Sequence, residues 1–559
     1  MEDFKYKHIF SLLEQTFKFD IDLYGNYIKD IIKVLIESEK NGETFVDIDN
    51  VSYSLEISEN GWPEKHINAL KNSGLISSDN SPIIFNDRKL SFVKWSKKID
   101  EILKLLLNKS NENITSQKDF NLIKNFNNVS KIKSLFKLTD LVFLQGGPGT
   151  GKSTLIVELI LYYLNNYDFI NIGISAPTGK ATSRLKETLD KKSKSKTKSD
   201  LNNVECQTLH RWIYNSSNNN GRLKYNLKEL DLFIIDEMSM VNINLIETIL
   251  NLLAKDCKLL LVGDANQLPP INNCSIWNYI FTNANSNIFN SSTINLEKVY
   301  RNNGDINELS KIIFSTENKN FYTRTKQIIK NKTSSNLRIF EAQNKLIPEE
   351  LINKINLHIM NLKKLVILLS KKEYIFTNEK SNFYDPEKDL IINIFKRLNS
   401  QLVLCKTNTG IWGVEEINKI IINQNDPYDF SKIDEGIPIM CTENNNELGI
   451  SNGDIGVIIG KKSSRRFLFR RFNEHNNQTA TLIEPDKLEN IIPAIAITIH
   501  KSQGSESDYV NVLWNQNNIS KDINNNCRGI IFRDNFERRL FYTAITRARK
   551  NLDIYYLNN

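Results

Sequence analysis

Residues 141–154 read Leu-Val-Phe-Leu-Gln-Gly-Gly-Pro-Gly-Thr-Gly-Lys-Ser-Thr, an apolar run followed at once by Gly146-x-x-x-x-Gly151-Lys152-Ser153. Residues 141–144 read as a strand and residues 154–164 as a helix, so the glycine-rich loop must turn the chain from one into the other. Gly146, Gly147, Pro148, Gly149, Thr150 and Gly151 form the loop, and its backbone N–H groups, which Pro148 lacks, can with those of the first helical residues close around phosphates at a helix N-terminus. Lys152 supplies a point charge to the outer phosphates, the Ser153 hydroxyl suits a magnesium ion, and Thr150 and Thr154 complete the cradle. The pattern predicts a nucleoside triphosphate, with ATP and Mg2+ as the expected pair.

The same strand-then-helix alternation recurs from about 111 to 290, with apolar runs at 170–175, 232–235 and 259–262. It predicts an α/β domain with a parallel sheet and ligands at the carboxyl ends of its strands. A second α/β unit is expected from about 291 to 559, with a small β insertion at about 457–495, where short strands crowd between Ile455 and Ile497. Residues 1–110 carry no nucleotide motif. Ile9, Leu12, Leu13 and then Ile28, Ile31, Ile32 and Leu35 have helical spacing, and a hairpin is expected around Asn86-Asp87, so a mostly helical domain is predicted. Asp87-Arg88-Lys89 lacks companion acids and reads as a turn rather than a nuclease centre.

At 559 residues several domains are expected, and a net charge of +8 fits a polyanionic partner without establishing one. The six cysteines lie far apart with no C-x-x-C, which argues against zinc, iron–sulfur clusters and a disulfide framework and favours a reducing cytoplasm. The N-terminal MEDFKYKHIF has no secretory pattern, and no apolar run reaches the roughly 18 residues of a membrane span. The lysine run 191–198 and Asn215–Asn220 read as solvated loops.

Phe233-Ile-Ile-Asp236-Glu237 is a buried strand ending in adjacent acids. Asp236 is placed to hold magnesium through water and Glu237 to orient and deprotonate the attacking water. Gln267, in Gly263-Asp-Ala-Asn-Gln, can reach a γ-phosphate or its water. Charge on the transferring phosphoryl group calls for cations outside the loop, and Arg301 and Arg547 are the candidates.

Ala176-Pro-Thr-Gly-Lys-Ala-Thr, Thr208-Leu-His210, Asp236-Glu237-Met-Ser-Met, Gly263-Asp-Ala-Asn-Gln267, Ala496-Ile-Thr-Ile-His500-Lys-Ser-Gln503-Gly-Ser-Glu506 and Tyr542-Thr-Ala-Ile-Thr-Arg547-Ala-Arg occur in the order of superfamily 1 helicases. Within that superfamily the chain resembles the RecD family, the alpha subunits of bacterial RecBCD enzymes, nearly end to end. The resemblance implies two RecA-like domains with an SH3-like insertion and ATP-driven 5′-to-3′ movement on single-stranded DNA. It also implies assembly with RecB-like and RecC-like subunits at double-strand DNA ends, with no nuclease centre in this chain. Gln117 matches the adenine-reading position. Thr178, Gly179, Lys180, His210, Thr498 and His500 match the DNA-contacting loops, where hydroxyls, amides and a lysine suit phosphates without reading sequence. Residues 1–110 are then expected to dock a partner. Arg465–Phe472 interleaves bases with aromatics, which fits nucleic acid and equally a strand with one apolar face. No clear strand-separating wedge is legible between Lys191 and Asn226. The competing readings are a free-standing RecD-like helicase, a regulatory ATP switch on a nuclease, a conjugative relaxase-helicase and a P-loop kinase.

Overall fold

The structure, a computed structural model, describes residues 2–557 except 51–60, 77–79, 111–126, 168, 193–202, 218–223, 271–273, 282–287, 301–303, 316–317, 331–335, 343, 373–384, 424–427, 446, 462–463, 473–477, 517–529, 531 and 533. It divides into two compact units. The first comprises Met1–Gly147, Lys152–Pro177 and Ser195–Glu297, and the second Pro148–Gly151, Thr178–Lys194 and Lys298–Asn559.

The first unit opens with helices α1 (Glu2–Phe17) and α2 (Ile21–Lys40), strand β1 (Val46–Asp47) and helix α3 (Glu64–Asn72). Asp20 caps α2, its carboxylate accepting from the N–H groups of Asp22 and Leu23. The expected hairpin forms as β2 (Ile83–Asn86) and β3 (Lys89–Phe92), with Ile83 opposite Phe92. Ile28, Ile31, Ile32 and Leu35 pack with Ile67, Leu70, Ile83 and Leu90 into a small core of their own.

Strand β3 then runs without a linker into α4 (Val93–Lys109). Its apolar stripe, Trp95, Ile99, Ile102 and Leu106, leaves the small core and joins the large one, with Ile243, Ile246 and Ile249. The Lys109 ammonium fastens the end of α4 by donating to the carbonyls of Ala254, Lys255 and Cys257 at 2.9, 3.0 and 2.9 Å. The core of the N-terminal region therefore closes by Phe92, not at about 110: helical spacing identifies an apolar face but not which core it faces.

Helix α5 (Asn128–Leu135) leads into β4 (Leu141–Gly146), α6 (Lys152–Asn166), β5 (Ile172–Ala176), α7 (Gly179–Lys192), β6 (Val204–Thr208), α8 (Leu209–Ser217), β7 (Leu232–Ile235), α9 (Ile243–Leu252), β8 (Lys258–Gly263), α10 (Ile276–Ile280) and β9 (Thr293–Leu296). The six strands form one parallel sheet in the order β6-β5-β7-β8-β4-β9. β4, β7 and β8 are buried almost throughout, as a parallel sheet covered on both faces requires. β9 lies beyond the expected boundary at 290 and still pairs with β4, Leu144 opposite Ile294.

The second unit takes in α7 and holds α11 (Asp305–Ser315), α12 (Asn318–Lys330), β10 (Leu337–Ala342), α13 (Glu349–Ser370), α14 (Asp385–Leu398), β11 (Gln401–Cys405) and α15 (Val414–Ile422). Strands β12 (Pro438–Cys441), β13 (Ile455–Ile459), β14 (Arg466–Phe472), β15 (Gln478–Ile483) and β16 (Ile491–Pro493) follow. The unit closes with β17 (Ile497–Thr498), β18 (Ser507–Asn515), α16 (Asn535–Ile545) and β19 (Ala548–Leu557). Its parallel sheet has the order β10-β19-β18-β11-β17. The insertion is an antiparallel sheet, β15-β14-β13-β12-β16, which starts at Pro438 rather than about 457. Ile439, Ile458, Phe467 and Phe469 from the insertion share a core with Val403, Leu513 and Tyr555 of the parallel sheet.

Candidate functional site

β7, β8 and β4 are neighbours in the first sheet and parallel, so the loops after them line one stretch of its carboxyl edge. Gly149 and Gly151 take left-handed conformations, φ +77° and +86°, which let the loop between β4 and α6 fold back. Lys152 is the first residue of α6, and its Nζ donates to the carbonyls of Gly146 at 2.6 Å and Gly147 at 3.1 Å. Thr150 is buried, Ser153 half-buried and Thr154 exposed. Among the described residues this ammonium is held by two carbonyls of its own glycine loop and keeps a donor to offer a phosphate, so these residues fit an ATP–magnesium pair.

At the end of β7, Asp236 is buried and its Oδ1 accepts the Glu237 N–H at 2.8 Å. Glu237 itself sits at φ 55°, ψ 43°, a left-handed conformation uncommon for glutamate, and it turns the chain at the strand end. After β8, the Asp264 carboxylate takes the Asn266 N–H at 3.0 Å and the Gln267 Nε2 at 3.3 Å, fixing both Asp264 and Gln267 in buried positions. Arg301 and Gln117 lie outside the described residues.

The sequence reading missed Tyr300. Its N–H donates to the Gly149 carbonyl at 2.8 Å, its ring borders Gly151, and it is 65% exposed. An aromatic residue immediately before Arg301 was the available signal.

The DNA-contact candidates fall elsewhere. Thr178, Gly179 and Lys180 follow β5, and exposed His210 follows β6, at the opposite end of the same sheet from β4. Thr178 Oγ1 accepts the Ala181 N–H at 3.2 Å, capping α7. Gly179 passes so close to Ser451 that a Cβ would fall 2.3 Å from its Oγ. Lys180 Nζ donates to Ser505 Oγ at 2.6 Å, and burial of the ammonium pulls its pKa down to about 8 despite the Asp454 carboxylate nearby.

In the second unit, Thr498 ends the edge strand β17 and its Oγ1 accepts the Lys501 N–H at 3.3 Å. His500 stacks on Phe536 with ring centroids 6.0 Å apart, and burial pushes its pKa below the usual imidazole value. Arg547 is 3% exposed, its Nε donating to the Thr543 carbonyl at 3.0 Å and a terminal nitrogen to the Ser505 carbonyl at 3.3 Å.

Over Arg465–Arg470 the structure favours the buried strand over a stacking platform, and the side chains of Arg471 and Phe472 lie outside the described residues. Phe467 and Phe469 point into one core and Leu468 into another. The Arg465 guanidinium is bound to the carbonyls of Phe430 and Ile433, and Arg466 and Arg470 pair with Glu484 and Glu187. A central strand needs apolar residues on both faces, and the arginines interleaved with them satisfy buried or neighbouring acceptors. Most of the lysine run 191–198, and much of the segment to Asn226, lie outside the described residues.

Family models match in both halves of the chain, an AAA domain over residues 133–273 and a UvrD-like helicase C-terminal domain over 457–559. The RecBCD enzyme subunit RecD of Buchnera aphidicola subsp. Schizaphis graminum is 30% identical over 550 residues, covering 90% of this chain and 84% of that protein. The subunit of the same name from Buchnera aphidicola subsp. Acyrthosiphon pisum is 31% identical over 540 residues, covering 88% and 83%. An ATP-dependent RecD2 DNA helicase from Deinococcus radiodurans is 34% identical, but over 131 residues, 23% of this chain and 16% of that one.

Two RecA-like domains, one ending its central strands in a phosphate loop and paired acids, make this an ATP-dependent DNA helicase of superfamily 1. End-to-end similarity then narrows the class. The chain belongs to the RecD family, the helicase subunits of RecBCD enzymes, and the free-standing reading is not favoured.

Proposed function

We propose that this chain is the 5′-to-3′ single-strand motor of a RecBCD-type helicase-nuclease, cytoplasmic and acting at double-strand DNA ends in recombinational repair and DNA degradation. The observation that carries the reading is the contiguous β7-β8-β4 edge, which puts Asp236-Glu237, Gln267 and Lys152-Ser153 on neighbouring loops. Ser153 and Asp236 would hold Mg2+, which neutralises phosphate charge when bound. Lys152 binds the outer phosphates, Glu237 takes the proton of the attacking water, and Gln267 reports the γ-phosphate. Arg301 and Arg547 answer the charge that develops in transfer, Gln117 reads the adenine edge, and the exposed Tyr300 ring offers the base a stacking surface.

Thr178, Gly179, Lys180, His210, Thr498 and His500 contact the DNA backbone. His500, kept neutral by burial, serves as a hydrogen-bonding or stacking group rather than a cation. RecB-like and RecC-like subunits are the partners, and the region with its own core, ending at Phe92, is the docking element. Among the described residues no helix is long and apolar enough to cross a membrane.

A strand-displacement assay with 5′ and 3′ overhangs tests polarity: unwinding only from 3′ overhangs would overturn the motor assignment. Pull-down with the partner subunits after removal of residues 1–92 tests docking. Retained assembly would sink it.

A further inference from the structure

We infer that Ser505 is a positioning residue that couples DNA contact at Lys180 to the Arg547 guanidinium. The inference rests on the reading of Lys180 as a phosphate contact and of Arg547 as a charge presented to the transferring phosphoryl group.

One residue serves both side chains through different atoms. The Ser505 hydroxyl accepts from Lys180 Nζ at 2.6 Å, and the Ser505 carbonyl accepts from Arg547 at 3.3 Å. Glu506 repeats the arrangement: its Oε2 takes Arg184 at 2.8 Å and Arg549 at 3.4 Å. Lys180 and Arg184 are four residues apart on α7 and so share a face, while Arg547 and Arg549 flank the start of β19. All of these residues lie within the second unit.

The Ser505-Glu506 step has little freedom to absorb a change on one side. Ser505 is 8% exposed, its N–H donates to the Ser502 carbonyl at 2.9 Å, and Gly504 before it is in the left-handed region at φ +73°. Ser507 after it is bound through its N–H to the Arg547 carbonyl at 2.9 Å.

A phosphate arriving at Lys180 offers its ammonium a charged acceptor that outcompetes a neutral hydroxyl. Ser505 then loses or shifts its side-chain partner, and the carbonyl of the same residue is the one that holds Arg547. Displacement at the DNA contact reaches the arginine through one residue, a contiguous route of the kind that carries coupling. Neither the P-loop nor the paired acids need move for this.

The test uses the full chain with and without oligothymidine, measuring ATP turnover and oligonucleotide affinity. Ser505→Ala keeps the carbonyl and removes the hydroxyl, and should lower the ratio of DNA-stimulated to DNA-free turnover roughly tenfold, the effect of one charge-assisted hydrogen bond. Ser505→Thr should restore the ratio, whereas its isostere Ser505→Val should behave like the alanine variant. In a Lys180→Ala background, Ser505→Ala should cause no further loss. Full stimulation in Ser505→Ala, or an equal loss in both backgrounds, would overturn the coupling. If Lys180→Ala loses stimulation and Ser505→Ala does not, the reading of the site stands and the coupling alone fails. If Lys180→Ala changes neither affinity nor stimulation, the reading of Lys180 falls and takes the coupling with it.

Discussion

The two parallel sheets carry their chemistry in different ways. In the first, each group proposed for catalysis follows its strand within a few residues: Lys152 after β4, Asp236-Glu237 after β7 and Gln267 after β8. In the second, the relevant groups meet only through the fold. Arg547 reaches the Ser505 carbonyl across 42 residues, and Lys406 at the end of β11 forms a part-buried pair with Glu537 of α16 at 2.6 Å. On the proposed roles, the first sheet binds ATP and activates the attacking water, while the second supplies transition-state charge and makes turnover responsive to DNA. Changes in the first should then abolish turnover whether or not DNA is present, and changes in the second should alter the response to DNA or the transition state.

The hardest test of that division is Arg547→Ala, expected to lower turnover by roughly 10³-fold or more while ATP still binds. If it instead changed only DNA affinity, the second sheet would have no part in transition-state charge. Lys152→Ala should lose roughly 10²–10³-fold with folding intact, and Glu237→Gln should retain bound ATP without cleaving it. Nucleotide binding and single-turnover cleavage distinguish these, and normal turnover in either variant would remove the first sheet from the chemistry.

Stability sharpens the comparison within the first unit. Ile102→Ala, on α4, should destabilise the nucleotide-binding domain by about 2–5 kcal/mol, whereas Leu35→Ala should cost a similar amount in the small N-terminal core and spare ATP binding. Denaturant unfolding followed with and without nucleotide separates the two. If both variants lost nucleotide binding together, the small core would not be separable at Phe92.

Weaker effects should follow pH. Burial lowers the folded-state pKa of Lys180 to about 8, against an ordinary value of 10.5, so the ammonium discharges as pH rises from 7 to 9. Single-strand affinity should fall several-fold over that interval, and Lys180→Met should flatten the profile. The linkage sign is the reverse for folding. Between about pH 8 and 10.5 the unfolded chain binds the extra proton, so this residue's contribution to stability improves with rising pH. Smallest of all, Gln117→Ala should reduce the preference for ATP over GTP about fivefold, corresponding to roughly 1 kcal/mol for one base-edge hydrogen bond. Competition assays showing no change would leave Gln117 without a role in base choice.

A phosphate-binding loop is legible in residues 141–154 without the fold, because a strand, a glycine loop and a helix N-terminus form one local unit whose spacing dictates where phosphates go. The order of Asp236-Glu237, Gln267 and Arg547 similarly identified a superfamily 1 motor. Tertiary structure alone decided which core each amphipathic stretch joins. Trp95, Ile99, Ile102 and Leu106 look like a continuation of the N-terminal helices, yet they complete the nucleotide-binding core. Pro438–Cys441 gives no sign in the sequence of pairing with Ile455–Ile459, and Arg465–Phe472 suits nucleic acid as well as a buried strand until Phe467 and Phe469 are seen in one core and Leu468 in another. Tyr300 and Ser505 went unread for the same reason. Periodicity records that a face is apolar or that a residue is polar, but not what lies opposite, and contacts such as Tyr300 to Gly149 or Lys180 to Ser505 exist only once distant segments are brought together.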